Sequence, residues 1–215
     1  MVNVGFDLDG TLANSWEAVL AIIGRRHGLF GSKHDIKRYE VNQNPMFRSL
    51  THKQVGEAFL EAWRNHGSIR LEDSRIPGIV RGLRGKYDGL YVVTAAYADT
   101  SEIRRWLRAK DVAVDGILHY GSARDKLRAD VDVHVDDFHE IASLGAAMGR
   151  TVILLSQPWN ADFRNVRMHT NIKIAKDWGE VGSILHSEYE RIKAGASTAR
   201  GLVRENGPVH SRSRA

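Results

Sequence analysis

The stretch Val2-Asn3-Val4-Gly5-Phe6-Asp7-Leu8-Asp9-Gly10-Thr11 decides how this chain is read. Val2–Asp7 is short and apolar, the pattern of a strand buried on both faces. It ends on two carboxylates one residue apart. The bland reading is a solvated acidic turn. Ending a buried strand with two acids is costly unless a partner meets them, so Asp7 and Asp9 are candidate functional residues. In open parallel sheets, ligands bind beyond the carboxyl ends of the strands.

Working outward, strands and helices alternate in the second half. Leu90–Thr94, Gly116–Tyr120, Val131–Asp136 and Thr151–Leu155 read as strands. Asp99-x-x-Glu102 caps a helix carrying Ile103, Trp106 and Leu107. Phe138–Met148 is a helix stopped by Gly149, and Asp177-x-x-Glu180 opens a last helix through Val181, Ile184, Leu185 and Ile192. This rhythm predicts an α/β fold, a Rossmann-like parallel sheet with helices on both faces.

Residues 13–73 break the alternation. Asn14-x-x-Glu17 opens a helix with Trp16, Val19, Leu20 and Ile23 on one face and Gly28 at its stop. Ser32-x-x-Asp35 opens a short helix through Tyr39, and Asn42–Pro45 is a loop. Thr51-x-x-Gln54 opens another helix, with Val55, Ala58, Phe59, Ala62 and Trp63 on one face. Pro77 suits the first turn of a helix through Ile79, Val80 and Leu83. The segment 13–73 is expected to be a small helical cap inserted after the first strand. Residues 1–12 and 74–194 then form the core domain.

Composition excludes several classes. The chain has 215 residues, 42% hydrophobic and 27% charged, which is ordinary globular usage. It has no cysteine, hence no disulfide framework, thiolate metal site or cysteine nucleophile. No apolar run reaches the roughly 18 residues of a membrane span, and the N-terminus lacks the pattern of a secretory signal. The expected location is the cytoplasm. Net charge is +5. Residues 195–215 carry four arginines against one glutamate, a net of +3. This Gly/Ser/Arg-rich stretch is expected to be a disordered basic tail. It suits a polyanion such as nucleic acid, or serves only to solubilise.

The strand ends assemble a chemistry. Thr94-Ala95-Ala96 follows the second strand, Asp136-Asp137 ends the fourth, and Lys126 lies ten residues before Asp136. Carboxylates, a hydroxyl and a lysine around one crevice form a phosphate-processing set. Clustered aspartates favour a divalent cation, and oxygen-only ligation points to Mg²⁺. Lys126 and the ion neutralise phosphoryl oxygens. Thr94 and the backbone N–H groups after it, beginning at Ala95, donate to those oxygens. Asp7 is placed to attack phosphorus, and Asp9 to protonate the leaving oxygen and later deprotonate water.

On these residues the chain resembles the haloacid dehalogenase superfamily of phosphotransferases. The first motif, DxDGT, stands as Asp7-Leu8-Asp9-Gly10-Thr11. The second is Tyr91-Val92-Val93-Thr94, the third Lys126, and the fourth Val133-His134-Val135-Asp136-Asp137. The resemblance implies Asp7 as nucleophile and metal ligand, and Asp9 as general acid/base with its backbone carbonyl on the metal. It implies Asp136 as the third metal ligand and Asp137 in a supporting position behind it. The acid at position 9 places the chain near the phosphatase branch. Within that branch the second half is similar to the 5′(3′)-deoxyribonucleotidases. The carrying stretches are Arg104–Leu107 (RRWL), Gly121–Phe138 (GSARDKLRADVDVHVDDF), Leu154–Asn160 (LLSQPWN) and Lys176–Val181 (KDWGEV). An arginine often found after the second motif is replaced by Ala95-Ala96-Tyr97.

The expected activity is therefore a Mg²⁺-dependent phosphomonoesterase acting through an aspartyl-phosphate. A small phosphorylated substrate, such as a nucleoside monophosphate, is the leading partner. The alternatives are a 3′-phosphatase on nucleic-acid ends and a non-catalytic phosphoryl- or metal-binding protein. In the cap, Phe47 is the best candidate to stack on a base, and Arg48 beside it to meet an anionic group. Trp16, Phe59 and Trp63 read as core.

Overall fold

In the computed structural model, residues 1–165 and 169–205 are described. The chain runs β1 (Asn3–Phe6), β2 (Ala13–Asn14), α1 (Ser15–His27), α2 (His52–Arg64), β3 (Arg70–Leu71) and α3 (Ile76–Leu83). Then come β4 (Gly89–Thr94), α4 (Thr100–Ala109), β5 (Gly116–His119), β6 (Val133–Asp136), α5 (His139–Ala147), β7 (Thr151–Leu155), β8 (Ile172–Ala175) and α6 (Trp178–Glu205).

Six strands form one sheet in the order β5-β4-β1-β6-β7-β8, and every pairing in it is parallel. β1 sits between β4 and β6, so the chain crosses to one side of β1 and later to the other. The crevice outside the carboxyl end of β1 is therefore where a parallel sheet accepts a ligand. Val4, Gly5 and Phe6 are buried, as the apolar run requires. Phe6 lies 5.8 Å from the ring of Trp178, whose indole N–H donates to Thr11 O at 2.9 Å.

The segment between β2 and β3 hangs from a two-stranded stem. Ala13 pairs with Leu71 and Asn14 with Arg70, antiparallel. α1 and α2 pack on each other, with Trp16, Val19, Leu20 and Ile23 of α1 buried. α1 ends where Gly28 takes φ +69°, donating its N–H to Gly24 O. α2 begins with a capping box of Thr51 and Gln54. Trp106 of α4 meets Trp63 of α2 at 5.8 Å, edge to face, and its indole donates to Ile69 O at 3.0 Å. Both buried indoles, of Trp106 and Trp178, thus find carbonyl partners.

Several elements differ from the sequence expectation, the short strands β2 and β3 among them. The helix expected from Ser32 through Tyr39 is a single turn, Lys33–Asp35. The side chain of Asn44 accepts from Lys37 N at 2.6 Å and Arg38 N at 2.9 Å, which withholds those donors from a helical ladder. β8 is an additional edge strand whose four residues are too short a run to announce themselves. Residues 195–205, expected in a disordered tail, continue α6. An established helix extends at low cost through Ala, Leu and Arg. The rest of that expected tail, 206–215, lies outside the described residues. No helix among the described residues is long and apolar enough to cross a membrane.

Candidate active site

The carboxyl end of β1 turns sharply. Gly10 N–H donates to Ala13 O at 2.8 Å, and Ala13 N–H to Leu8 O at 2.8 Å. Gly10 holds φ +77°. A Cβ there would sit 2.3 Å from Asp137 Oδ2 and 3.0 Å from Trp159 Cζ2. Glycine is required both for the backbone and for the space. The turn carries Asp7 and Asp9 into a crevice of about 710 Å³, where Thr94, Ala95 and Lys126 also line the wall.

Each of these residues is placed by its own element. Thr94 ends β4, and its Oγ1 accepts from Ala96 N at 3.0 Å, leaving the hydroxyl hydrogen free to donate. Lys126 stands in the short turn Arg124–Arg128 that leads into β6. Asp136 ends β6 and Asp137 follows it, both fully buried.

The charges interlock. Lys126 Nζ lies 2.8 Å from Asp7 Oδ1 and 2.7 Å from Asp136 Oδ2. Burial alone would lower the pKa of that ammonium, but Asp136 and Asp7 outweigh it and hold Lys126 charged. Burial would likewise raise Asp136. The Lys126 charge and the approach of His134, with Nε2 at 3.1 Å, instead keep it below the usual carboxylate range. Asp136 Oδ1 also accepts from Phe138 N at 2.9 Å. Asp7 is pushed up to about 7, mainly by burial, against the opposing pull of Lys126. Burial also raises Asp9, offset by hydrogen bonds from Ser15 and Trp63.

Asp137 differs from its neighbour. Among the described residues, neither of its carboxylate oxygens has a hydrogen-bond donor, although both are buried. Burial and then the charges of Asp7 and Asp136 raise it well above the usual range. One oxygen each from Asp7, Asp136 and Asp137 lies within 4.8 Å of the other two. Three buried carboxylates, one without any partner, are a donor set that a divalent cation would satisfy. Asp137, expected in a supporting position, lies within the same cluster as Asp7 and Asp136. The Asp9 carboxylate is outside the cluster.

The fold has counterparts among solved structures. A haloacid dehalogenase-like family hydrolase from Streptococcus pneumoniae superposes over 86% of this chain and 98% of its own, at 19% identity and a TM-score of 0.60. The chain has the haloacid dehalogenase-like fold. A predicted phosphatase from Clostridium acetobutylicum matches with a TM-score of 0.61, at 15% identity, over 86% of this chain and 98% of that one. Protein tyrosine kinase A of Mycobacterium tuberculosis matches with a TM-score of 0.59, at 22% identity, over 85% and 97%. At these identities the likeness is one of fold. No family model matches the sequence, and no curated protein matches it.

Within the haloacid dehalogenase-like fold, the residues expected from the cap fall differently. Phe47 is fully buried in the core and Arg48 is exposed, and neither lines the crevice. The turn Pro45–Phe47 folds the ring inward, where burial of an apolar side chain is favoured over exposure. Trp16 and Phe59 instead reach the crevice while remaining largely buried. Trp159 packs 5.5 Å from Trp16 and does not line the crevice.

Two side-chain contacts at the site, though not the residues that make them, escaped the sequence. Trp63 Nε1 donates to Asp9 Oδ1 at 3.0 Å. Tyr39 stacks on Phe138 at 3.9 Å and lines the crevice. Helical periodicity assigned Trp63 to the core, and it is fully buried there. The periodicity carries no sign that its N–H points at a carboxylate. Gln157 and Asn160 also hold the floor: Gln157 Nε2 donates to Gly10 O at 2.7 Å, and Asn160 Nδ2 to Asp137 O at 2.9 Å.

Proposed function

We propose that this chain is a Mg²⁺-dependent phosphomonoesterase that works through an aspartyl-phosphate. The observation that carries the reading is the meeting of Asp7, Asp9, Thr94 and Lys126 in one crevice, above the cluster of Asp7, Asp136 and Asp137. Those three side chains, with the backbone carbonyl of Asp9, would hold the cation. When bound, it supplies positive charge against the phosphoryl oxygens.

The chain's own residues divide the chemistry. Lys126 fixes Asp7 through Oδ1 and leaves its other oxygen to attack. That oxygen bonds to phosphorus as the ester P–O bond breaks. Asp9, raised by burial, is suited to hold the proton that the leaving oxygen takes. In the second half a water oxygen bonds to phosphorus, the Asp7 O–P bond breaks, and the water's proton passes to Asp9. Thr94 Oγ1 and the N–H groups that follow it donate to the phosphoryl oxygens. Asp136 anchors Lys126 on its far side.

The substrate class is proposed on separate grounds. The resemblance of residues 104–181 to 5′(3′)-deoxyribonucleotidases and the aromatic crevice wall both support a nucleoside monophosphate. The balance of nine basic against seven acidic residues over 13–73 offers no polyanion groove, which disfavours nucleic-acid ends. Phosphate release from a panel of monoesters, with Mg²⁺ and with a chelator, tests the reading. No Mg²⁺-dependent release from any ester would overturn it.

A further inference from the structure

We infer that the crevice selects phosphate monoesters whose organic half is a flat ring system without a second anionic group, with Tyr97 and Glu40 as the selecting residues. This rests on the phosphomonoesterase reading above.

The first ground is the distribution of charge. Among the described residues that line the crevice, Lys126 is the one lysine or arginine. It is buried and committed to Asp7 and Asp136. The two histidines of the wall are also engaged. His52 Nδ1 lies 3.4 Å from Glu40 Oε2. His119 Nε2 lies 2.9 Å from Ala96 O, and a carbonyl can only accept, so that nitrogen carries the hydrogen. Beyond the floor, then, a second phosphate or carboxylate would meet no free cation. It would meet Glu40, a half-exposed carboxylate on the same wall, whose charge His52 balances only when the imidazole is protonated. Like-charge juxtaposition of this kind is an effective way to reject a wrong partner.

The second ground is shape. A cavity of about 710 Å³ is far larger than a phosphoryl group needs and suits a ligand with a sizeable organic part. Tyr97 follows the phosphate-facing loop at the end of β4. Its ring stacks on Phe59 of α2 at 5.8 Å, with 29° between the planes. A Cβ on Gly56 would lie 3.1 Å from that ring, so Tyr97 rests directly on the helix backbone. One side of the ring is thus backed by α2, yet the residue remains 56% exposed. A supported aromatic face left open beside a phosphate site is a shelf for another flat ring.

The test compares kcat/KM of the full chain with Mg²⁺ for four esters at fixed ionic strength. They are p-nitrophenyl phosphate, a nucleoside 5′-monophosphate, the matching nucleoside 3′,5′-bisphosphate and 2-phosphoglycolate. The first two are expected to exceed the last two by about tenfold or more. Glu40→Gln is expected to raise the bisphosphate-to-monophosphate ratio about threefold or more. Tyr97→Ala is expected to raise KM for the ring-bearing esters, and Tyr97→Phe to retain it. Equal turnover of all four esters, or a ratio unmoved by Glu40→Gln, overturns the inference and leaves the phosphomonoesterase reading standing. Turnover of none overturns both.

Discussion

Trp63 and Asp9 are joined by a hydrogen bond of 3.0 Å that crosses from the inserted helices to the carboxyl end of β1. The donor is fully buried and wedged against Trp106, so its direction is fixed by packing. The bond opposes the rise that burial imposes on Asp9. Trp63→Phe keeps most of the ring and removes the donor. Loss of a hydrogen bond to a charged group is worth about 1.5–3 kcal/mol. Felt in the transition state, that is a fall in kcat of roughly 10- to 100-fold. The basic limb of the pH–rate profile should also move to higher pH, because Asp9 loses a contact that lowers its pKa. A variant with reduced stability but an unmoved profile would make Trp63 a packing residue alone.

Asp7→Asn is expected to abolish turnover while the chain stays folded, since the amide removes the attacking oxygen but leaves Asp136 for Lys126. Asp9→Asn loses proton transfer, a cost of roughly 10²- to 10⁴-fold in kcat. Single-turnover trapping of phosphorylated protein separates the two. Acid-quenched Asp7→Asn should carry no label, whereas Asp9→Asn, which keeps the nucleophile, should still acquire it slowly. Near-normal turnover in Asp7→Asn would sink the covalent route.

Lys126 stands between two buried carboxylates, and its removal leaves both without their cation. Lys126→Met should destabilise the metal-free chain by about 3–5 kcal/mol in chemical denaturation. Adding Asp136→Asn to that variant should recover part of the loss, because one uncompensated charge disappears with it. A simple sum of the two single effects would show that the pair is not coupled.

The acidic cluster sets a pH dependence whose sign can be worked out. Asp7 is raised to about 7 in the folded state, above the ordinary carboxylate value near 4. Between those values the folded chain binds a proton that the unfolded chain does not. Stability of the metal-free protein therefore falls as pH rises from about 4 to about 7. Asp137, raised for the same reason of burial, adds to the fall. A bound divalent cation removes this penalty, so the rise in Tm on adding Mg²⁺ should grow from pH 5 to pH 8. A Mg²⁺ response that is flat over that range would place the ion elsewhere.

Much of the site was legible because it sits where geometry leaves little choice. Asp7, Asp9, Thr94 and Asp136 stand at or just beyond strand ends, and a parallel sheet brings strand ends together. Lys126 was found from its spacing before β6. Burial of an aromatic ring, by contrast, is set by how a turn happens to fold. Phe47 looked like a loop residue free to stack, but the turn Pro45–Phe47 buries it. Trp63 shows the reverse limit: its helical spacing correctly announced a core position and concealed a polar contact. Asn44 ended an expected helix through side-chain bonds to Lys37 and Arg38, which no periodicity records. Asp136 and Asp137 were ranked only by resemblance, since adjacent aspartates at a strand end look alike in sequence. Only the partners of each carboxylate distinguish them.

The stem formed by β2 and β3 has an architectural consequence. The chain enters the helical segment through Ala13 and leaves it through Leu71, its direct partner across the ribbon. With entry and exit already side by side, the span between them can change length cheaply. Doubling a flexible loop costs only about 0.6 kcal/mol in closure entropy. The intervening helices are thus exchangeable parts on a fixed socket, provided a replacement again offers a donor to Asp9 and a ring to Phe138. A lineage built on this plan can trade one set of helices for another while Asp7, Asp136 and Asp137 stay where the sheet holds them.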